Sequence, residues 1–422
     1  LTSLERTLTP TPEQLRWQHW GLGVFFHFGL NTFHGKEWSD GTLPAASFDP
    51  AELDARQWVA VAKEAGARYV VLTAKHHDGF CLWPTETTDY SVASSPWKDG
   101  RGDVVGDVAA ACAEAGLGLG LYLSPWDRNA PCYDDPAAYD DFYVRQLTEL
   151  CTRYGPLVEL WFDGAGSQGR TYDWAAIMDV VHTHQPGAMV FNMGDPTIRW
   201  VGNEDGYSAD PYSYVIDHTK MDNYTVVTTT FSEALYLPIE CDVSLRRGWF
   251  WQPAEQPKDL DHLLAIYYRS IGLGANLLLN IPPDRRGLID DADRARVAEW
   301  AAELDRRFAD PIPAKLTETE DGVMIDFGAE VELDHLALIE ELADGQRITG
   351  HTVFDQDQQL VAGQTVGSRR LHAFPARRVE RLSIKLDGDA PRLAEVIGYA
   401  TGVSEIPELP ADYRATTTAP LD

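Results

Sequence analysis

Several short apolar runs in this chain end in residues that can bind or react. Gly23–Phe28 (GVFFHF) carries His27, and Tyr69–Ala74 (YVVLTA) leads into Lys75-His76-His77-Asp78-Gly79-Phe80. Gly118–Leu123 holds Tyr122, with Ser124-Pro125-Trp126 behind it. Leu157–Phe162 (LVELWF) is followed by Asp163-Gly164, and Met189–Asn192 closes on Asn192. Asp163 is the sharpest of these, because a carboxylate at the end of such a run is costly to bury without a partner or a task. The ordinary alternative is a helix cap, but Gly164–Arg170 separates Asp163 from the next helical pattern. Asp163 is therefore a candidate functional residue.

The pair His76-His77, with Asp78, raises a metal site. Adjacent strand residues face opposite ways, so both rings meet one ion only if the strand has already ended. HxH, HExxH and CxxC spacings are all missing, so no metal and no cofactor are expected. The alternative is hydrogen bonding to a polyhydroxylated ligand, since an imidazole both donates and accepts and an indole offers a flat apolar face. All 13 Trp lie between Trp17 and Trp300. Trp17, Trp58, Trp174 and Trp300 fall in helical patterns and read as core. No GxSxG elbow occurs, and Gly116–Gly120 sits in a strand pattern where a dinucleotide loop would have to open a helix. The five Cys are odd in number and irregularly spaced, which argues against a disulfide scaffold.

The elements that must position these residues alternate. Strand runs at 23–28, 69–74, 118–123, 157–162, 189–192 and 276–281 are separated by helical patterns near 51–65, 104–115, 137–154, 172–184, 259–273 and 290–307. Doubly buried strands alternating with helices predict a parallel α/β sheet closed as a TIM-like (β/α)-barrel. It is expected to be imperfect, because 202–243 shows no clear repeat. The carboxyl ends of barrel strands converge on one face, which is where the polar residues gather.

Composition changes near residue 310, where Pro311 and Pro313 stop a helix and Trp and Cys cease. Two domains follow: a catalytic barrel over 1–310 and a C-terminal all-β sandwich over 311–422, the latter from short alternating strands at 323–327, 335–339, 347–354, 381–386 and 395–399. The net charge of −30 is spread over both, with 20 acidic and 10 basic residues after Pro311. So acidic a surface disfavours nucleic acid and anionic membranes as partners. No run reaches the ~18–20 apolar residues needed to cross a bilayer. Leu1–Trp20 lacks an apolar signal core, so the expected location is cytoplasmic, or secreted if a leader precedes Leu1.

With those motifs in place, the chain resembles the α-L-fucosidases of glycoside hydrolase family 29. The resemblance runs in order through Gly23–Gly29, Lys75–Phe80, Leu160–Gly164, Arg199–Glu204, Glu240–Phe250 and Asn276–Asn280, covering roughly residues 15–310. It implies an exo-acting retaining hydrolase of terminal α-L-fucose on an oligosaccharide or glycoconjugate, with Asp163 as nucleophile. The segment Gly202-Asn203-Glu204 resembles the acid/base segment of the subgroup selective for branched α-1,3/1,4 fucosides, which makes Glu204 the acid/base. Glu240 is the second candidate acid; its structural alternative is a carboxylate paired with Arg246 or Arg247. Fucose-binding positions carried over are His27, Glu37, Trp38, His76, His77, Tyr122 and Trp161, with Arg246, Trp249 and Asn276 behind them. The competing readings are a broad or α-1,2-acting fucosidase and a catalytically inactive, lectin-like fucose binder.

Overall fold

The computed structural model describes residues 8–220, 228–320, 322–413 and 415. The outer ends of both expected domains and part of the irregular 202–243 stretch lie outside them. In chain order come α1 (Pro12–Trp20), β1 (Leu22–Phe26), α2 (Leu30–His34), α3 (Ala55–Glu64), β2 (Tyr69–Lys75), α4 (Val104–Ala115) and β3 (Gly118–Leu123). Next are α5 (Pro136–Arg153), β4 (Glu159–Trp161), α6 (Trp174–His184), β5 (Met189–Phe191), β6 (Arg199–Trp200), β7 (Val215–Lys220), β8 (Thr228–Tyr236) and β9 (Ile239–Ser244). α7 (Leu260–Arg269), β10 (Asn276–Asn280) and α8 (Asp291–Phe308) complete the first part.

Eight parallel strands form the barrel in the order β5-β4-β3-β2-β1-β10-β9-β6. An isolated parallel bridge from Phe191 to Ile198 brings its two edges together. Every residue of β1, β2, β9 and β10 is buried, which is why these strands read as continuous apolar runs. Among the described residues no helix stands between β5 and β9, where a two-residue strand and the antiparallel β7–β8 pair are found. The barrel is imperfect where the sequence lost its repeat.

Six consecutive helices, α3 to α8, begin on an aspartate: Asp54, Asp103, Asp135, Asp173, Asp259 and Asp290 each accept an amide of the first turn. Such a cap contributes ~1 kcal/mol by satisfying a donor that the helix cannot. Part of the acidic excess is thus helix punctuation. Asp173, not Asp163, caps the helix after β4.

The barrel interior is aromatic. Phe25, Tyr69, Val71, Tyr122, Trp161, Phe191, Trp200, Trp249 and Leu278 form one buried cluster, closed from below by Trp17 of α1. Gly23 is required here, because a Cβ on it would come within 2.5 Å of the Tyr69 ring.

The C-terminal part comprises β11 (Ile312–Pro313), β12 (Lys315–Thr319), β13 (Gly322–Glu340), β14 (Ile348–Asp355), β15 (Gln358–Gly363), β16 (Arg370–Gly388) and β17 (Leu393–Tyr399). These strands make one antiparallel sheet, ordered β11-β17-β13-β16-β14-β15 with β12 on β13. It folds around Ile325, Leu336, Ile348, Val353, Phe374 and Ile384. The runs at 323–327 and 335–339, expected as separate strands, are two ends of β13, which continues through register shifts between Asp326 and Val331 and between Leu333 and His335. The sheet packs on the barrel flank. Tyr268 of α7 hydrogen-bonds His335 at 2.7 Å, Tyr212 donates to the Val366 carbonyl at 2.9 Å, and Arg370 makes two 2.9 Å bonds to Asp210.

Candidate active site

The sequence-predicted residues converge on the carboxyl-terminal rim of the barrel. Asp163 follows β4 and is held from two sides: Tyr122 Oη donates to Oδ2 at 2.8 Å and the Ala165 amide donates to Oδ1 at 2.9 Å. His77 Nε2 stands 3.6 Å from Oδ2. The Asp163 side chain retains 24% exposure, enough to meet a ligand.

Three histidines surround it. β2 ends at Lys75, so the strand constraint is gone and the His76 and His77 rings lie 4.1 Å apart. His77 Nδ1 meets Ser124 Oγ at 2.7 Å, and that hydroxyl donates onward to the Trp126 carbonyl at 2.6 Å. Ser124 must therefore accept from Nδ1–H, which leaves Nε2 as an acceptor. His27 Nδ1 lies 2.9 Å from Asn280 Oδ1. The Asn280 amide nitrogen is committed to Ser244 Oγ and the Trp249 carbonyl, both at 2.9 Å, so His27 also presents Nε2 as an acceptor. His76 stacks on Tyr122 at 5.6 Å, and its buried Nδ1 has no partner among the described residues. Burial pushes His27 down to about 3, His77 to about 4 and His76 well below the usual range. The site therefore presents neutral imidazoles at pH 7, suited to the hydroxyls of a polyol.

Glu204 lies on the loop after β6. Burial first, then the Asp242 and Asp163 charges, push its carboxyl well above the ordinary range, against a hydrogen bond with Trp249 that lowers it. Its Oε2 is enclosed without a partner among the described residues. A carboxyl that holds its proton is what acid-assisted displacement requires of the proton donor.

Trp38 sets its edge against His77 at 5.2 Å and against Trp126 at 5.4 Å, forming a wall. Trp161 forms the floor, stacked on Phe191 at 3.7 Å with its Nε1 donating to Glu240 at 2.8 Å. Glu37 accepts the Trp249 amide at 2.8 Å and the Phe250 amide at 3.4 Å, and so shapes the loop that brings Trp249 beside His27. Gly248 is needed there, since a Cβ would come within 2.2 Å of Glu37 Oε1.

Two expected sugar contacts are corrected. Arg246 is 2% exposed and faces away from the rim: its Nε binds both Asp293 oxygens at 3.0 and 2.8 Å, and Nη1 reaches the Gln252 carbonyl at 3.2 Å. It pins the 246–258 loop to α8. Asn276 is the first residue of β10 and donates to the Trp17 carbonyl at 2.8 Å, so it sits at the closed end of the barrel. The last residue of that strand, Asn280, takes the rim position. Only carboxyl ends of strands face the site, and that rule would have chosen Asn280 from the NLLLN motif. Glu240 is not paired as anticipated either. It accepts Tyr69 Oη at 2.6 Å and Trp161 Nε1 at 2.8 Å, and shares a hydrogen bond with Glu159.

Ser124, Trp126, Asn280, Trp200 and Asp242 were not singled out as site residues, although the first two directly follow β3. Asp78 turns back onto its own loop, accepting the Phe80 amide at 3.2 Å. Among the described residues no cluster of three or more His, Cys, Asp or Glu is arranged to hold a metal ion.

A family model described as alpha-L-fucosidase matches residues 4–306. The chain is 37% identical over 438 residues to alpha-L-fucosidase 1 of Arabidopsis thaliana, covering 92% of this chain and 86% of the relative. A glycoside hydrolase 29 family member from an unknown rumen bacterium superposes with a TM-score of 0.85 at 34% identity, covering 98% of this chain and 80% of that one. A Ruminococcus gnavus GH29 fucosidase in complex with fucose superposes with a TM-score of 0.81 at 28% identity, over 93% of this chain and 95% of that one.

Proposed function

This chain belongs to the α-L-fucosidase family, glycoside hydrolase family 29, and we propose that it removes terminal α-1,3/1,4-linked L-fucose from branched, Lewis-type glycans. The enzyme is a retaining glycoside hydrolase of α-L-fucosides. The observation that carries the residue roles is the contrast between Asp163, held by Tyr122 and Ala165, and Glu204, whose proton is retained by burial and by two neighbouring carboxylates.

Asp163 attacks the anomeric carbon while Glu204 transfers its proton to the departing glycosidic oxygen, giving a fucosyl ester on Asp163 and a free sugar hydroxyl. Glu204, now ionised, takes a proton from water, and the hydroxide equivalent displaces Asp163 from the same carbon. His27 and His77 accept sugar hydroxyls through their free Nε2 atoms. Trp38 and Trp126 exclude water on one side, and Trp249 does so on the other. Residues 1–310 act as the catalytic unit and 311–422 support its flank.

The linkage preference is supported by the resemblance of Gly202–Glu204 and Glu240–Phe250 to the branched-fucoside subgroup. It is tested by measuring fucose released from Lewis a and Lewis x trisaccharides, 2′-fucosyllactose and an aryl fucoside. Turnover of the two Lewis sugars with little from 2′-fucosyllactose is expected. Comparable turnover of all three glycans would establish a broad fucosidase instead.

A further inference from the structure

The Glu204 loop starts from β6, whose backbone is tied to β9 through the Val201 amide and the Glu240 carbonyl at 2.9 Å and whose Trp200 side chain makes a further buried hydrogen bond. Trp200 pairs with Glu240 in the β6–β9 register, so Asp242 lies two residues further along β9 on the same inward face. Trp200 Nε1 donates to Asp242 Oδ1 at 2.7 Å, and the two residues are 7% and 3% exposed. From Trp200 the chain runs through Gly202, whose carbonyl accepts Lys220 Nζ at 2.8 Å, while the same ammonium sits 5.1 Å from the Trp200 ring centroid. Asn203 then closes a turn, accepting the Asp205 amide at 3.0 Å and donating to the Tyr207 carbonyl at 2.8 Å. Glu204 is at the centre of that turn.

A strand in a barrel interior does not call for a carboxylate at this position, and burying one costs several kcal/mol unless it is compensated. Asp242 therefore needs a role. We propose that Asp242 is a positioning residue for the acid/base, tying the base of the Glu204 loop to β9 through the Trp200 indole and setting a second buried carboxyl against that of Glu204. The proposal rests on the reading of Glu204 as the acid/base. The groups around Asp242 are Glu240 beneath it on β9, Asp163 from the β4 rim, Glu204 itself, and Lys220 of β7 across the Trp200 ring; Glu37 also acts on Glu204. Burial pushes the Asp242 carboxyl well above the ordinary range, as it does that of Glu204, and Asp242 is the first neighbouring carboxyl acting on Glu204, so the two resist ionising together.

The test compares kcat/KM against pH for the full chain, its Asp242→Asn and Asp242→Ala variants, and Glu204→Gln, on a Lewis trisaccharide and an aryl fucoside. Asp242→Asn keeps an oxygen for Trp200 and loses only the ionisable group. Its alkaline limb on the trisaccharide is expected to move down by about one pH unit, roughly ten-fold in rate above that limb, with a much smaller change on the aryl fucoside. Asp242→Ala also loses the anchor and should lower kcat on the trisaccharide at every pH, with Asp242→Asn restoring the acid plateau. An unmoved alkaline limb in Asp242→Asn, with Glu204→Gln still sparing the aryl fucoside, overturns the role of Asp242 alone. Equal losses on both substrates in Glu204→Gln overturn the reading of Glu204. Should the Asp242 variants not fold, Trp200→Phe removes the donor and leaves both carboxyls in place. It should lower kcat more on the trisaccharide than on the aryl fucoside, and equal losses would refute the anchor.

Discussion

Tyr122 gives its only hydroxyl proton to Asp163, at 2.8 Å, from a ring stacked between His76 and Trp161. That ring is fixed on both faces, so barrel packing orients one oxygen of the nucleophile while the Ala165 amide of the following loop holds the other. Replacing Asp163 by Gly is expected to reduce kcat at least about a thousand-fold, some 4 kcal/mol of transition-state stabilisation. Azide should restore part of the turnover as fucosyl azide. A variant close to wild type would remove Asp163 from the mechanism.

Glu204 should separate substrates by leaving group. Glu204→Gln leaves the enclosed position filled but has no proton to give, so a natural glycan loses turnover strongly. An aryl fucoside, whose leaving group needs little protonation, is spared in the first step. The measurement is kcat/KM on both substrates, and parallel losses would count against the assignment.

Burial of acids predicts how stability depends on pH. Glu37 and Asp78 are raised to about 7, mainly by burial, and Glu159 and Glu240 are raised as a pair in the barrel interior. Each binds its proton more tightly folded than unfolded. The stability that Glu37 and Asp78 contribute is fully present below the unfolded carboxyl range, near 4, and is lost as pH rises through about 7, and Glu159 and Glu240 act in the same direction. The buried His27, His76 and His77 act in the opposite sense below their unfolded range near 6.5, so melting temperature should fall between about pH 6.5 and 8. Glu159→Gln, which removes one member of the pair, should flatten the fall. A melting curve that rises over this range would contradict the assignment.

Arg246 should act as a structural residue, and Asn280, in place of Asn276, should matter for sugar binding. Arg246→Ala leaves the buried Asp293 uncompensated and is expected to destabilise the fold by about 3–5 kcal/mol, read as a lower melting temperature with KM for an aryl fucoside little changed. Asn280→Ala frees His27 to change tautomer and should raise KM. The opposite pattern would return Arg246 to the sugar.

Removing residues 311–422 exposes Tyr267, Tyr268 and Phe308, which pack against Ala337, Leu371 and Tyr399. The expected result is an insoluble barrel. A soluble, active barrel with weakened glycan binding would make the C-terminal sheet a carbohydrate-binding module.

The sequence was informative where chemistry and periodicity coincide. His27, His76, His77, Tyr122 and Asp163 end apolar runs, and a barrel gathers such ends on one face whatever its details. The boundaries of α4 and β3 could be read to the residue, because Asp103 caps the first and Gly116 ends it in a left-handed conformation before Gly118 opens the second. The stretch from β6 to β9 could not be read. Its strands follow neither a helix nor an alternating pattern, and β6 is two residues long.

The aspartate caps also recast the net charge of −30: six of those acids start helices, several more are buried in the barrel, and none needs a cationic partner molecule to explain it. Sequence alone determined the repeating α/β pattern, the ring of polar residues at the strand ends, and Asp163 as the carboxylate out of place. Tertiary structure decided which partners those residues have. Glu240 met Glu159 instead of an arginine, Arg246 turned away to α8, and Asp242 came under Glu204. Each of these contacts joins strands or loops distant in the chain. Residue type and spacing set what a side chain can do, whereas burial and neighbouring charge, which fix its proton and its orientation, exist only once the barrel has closed.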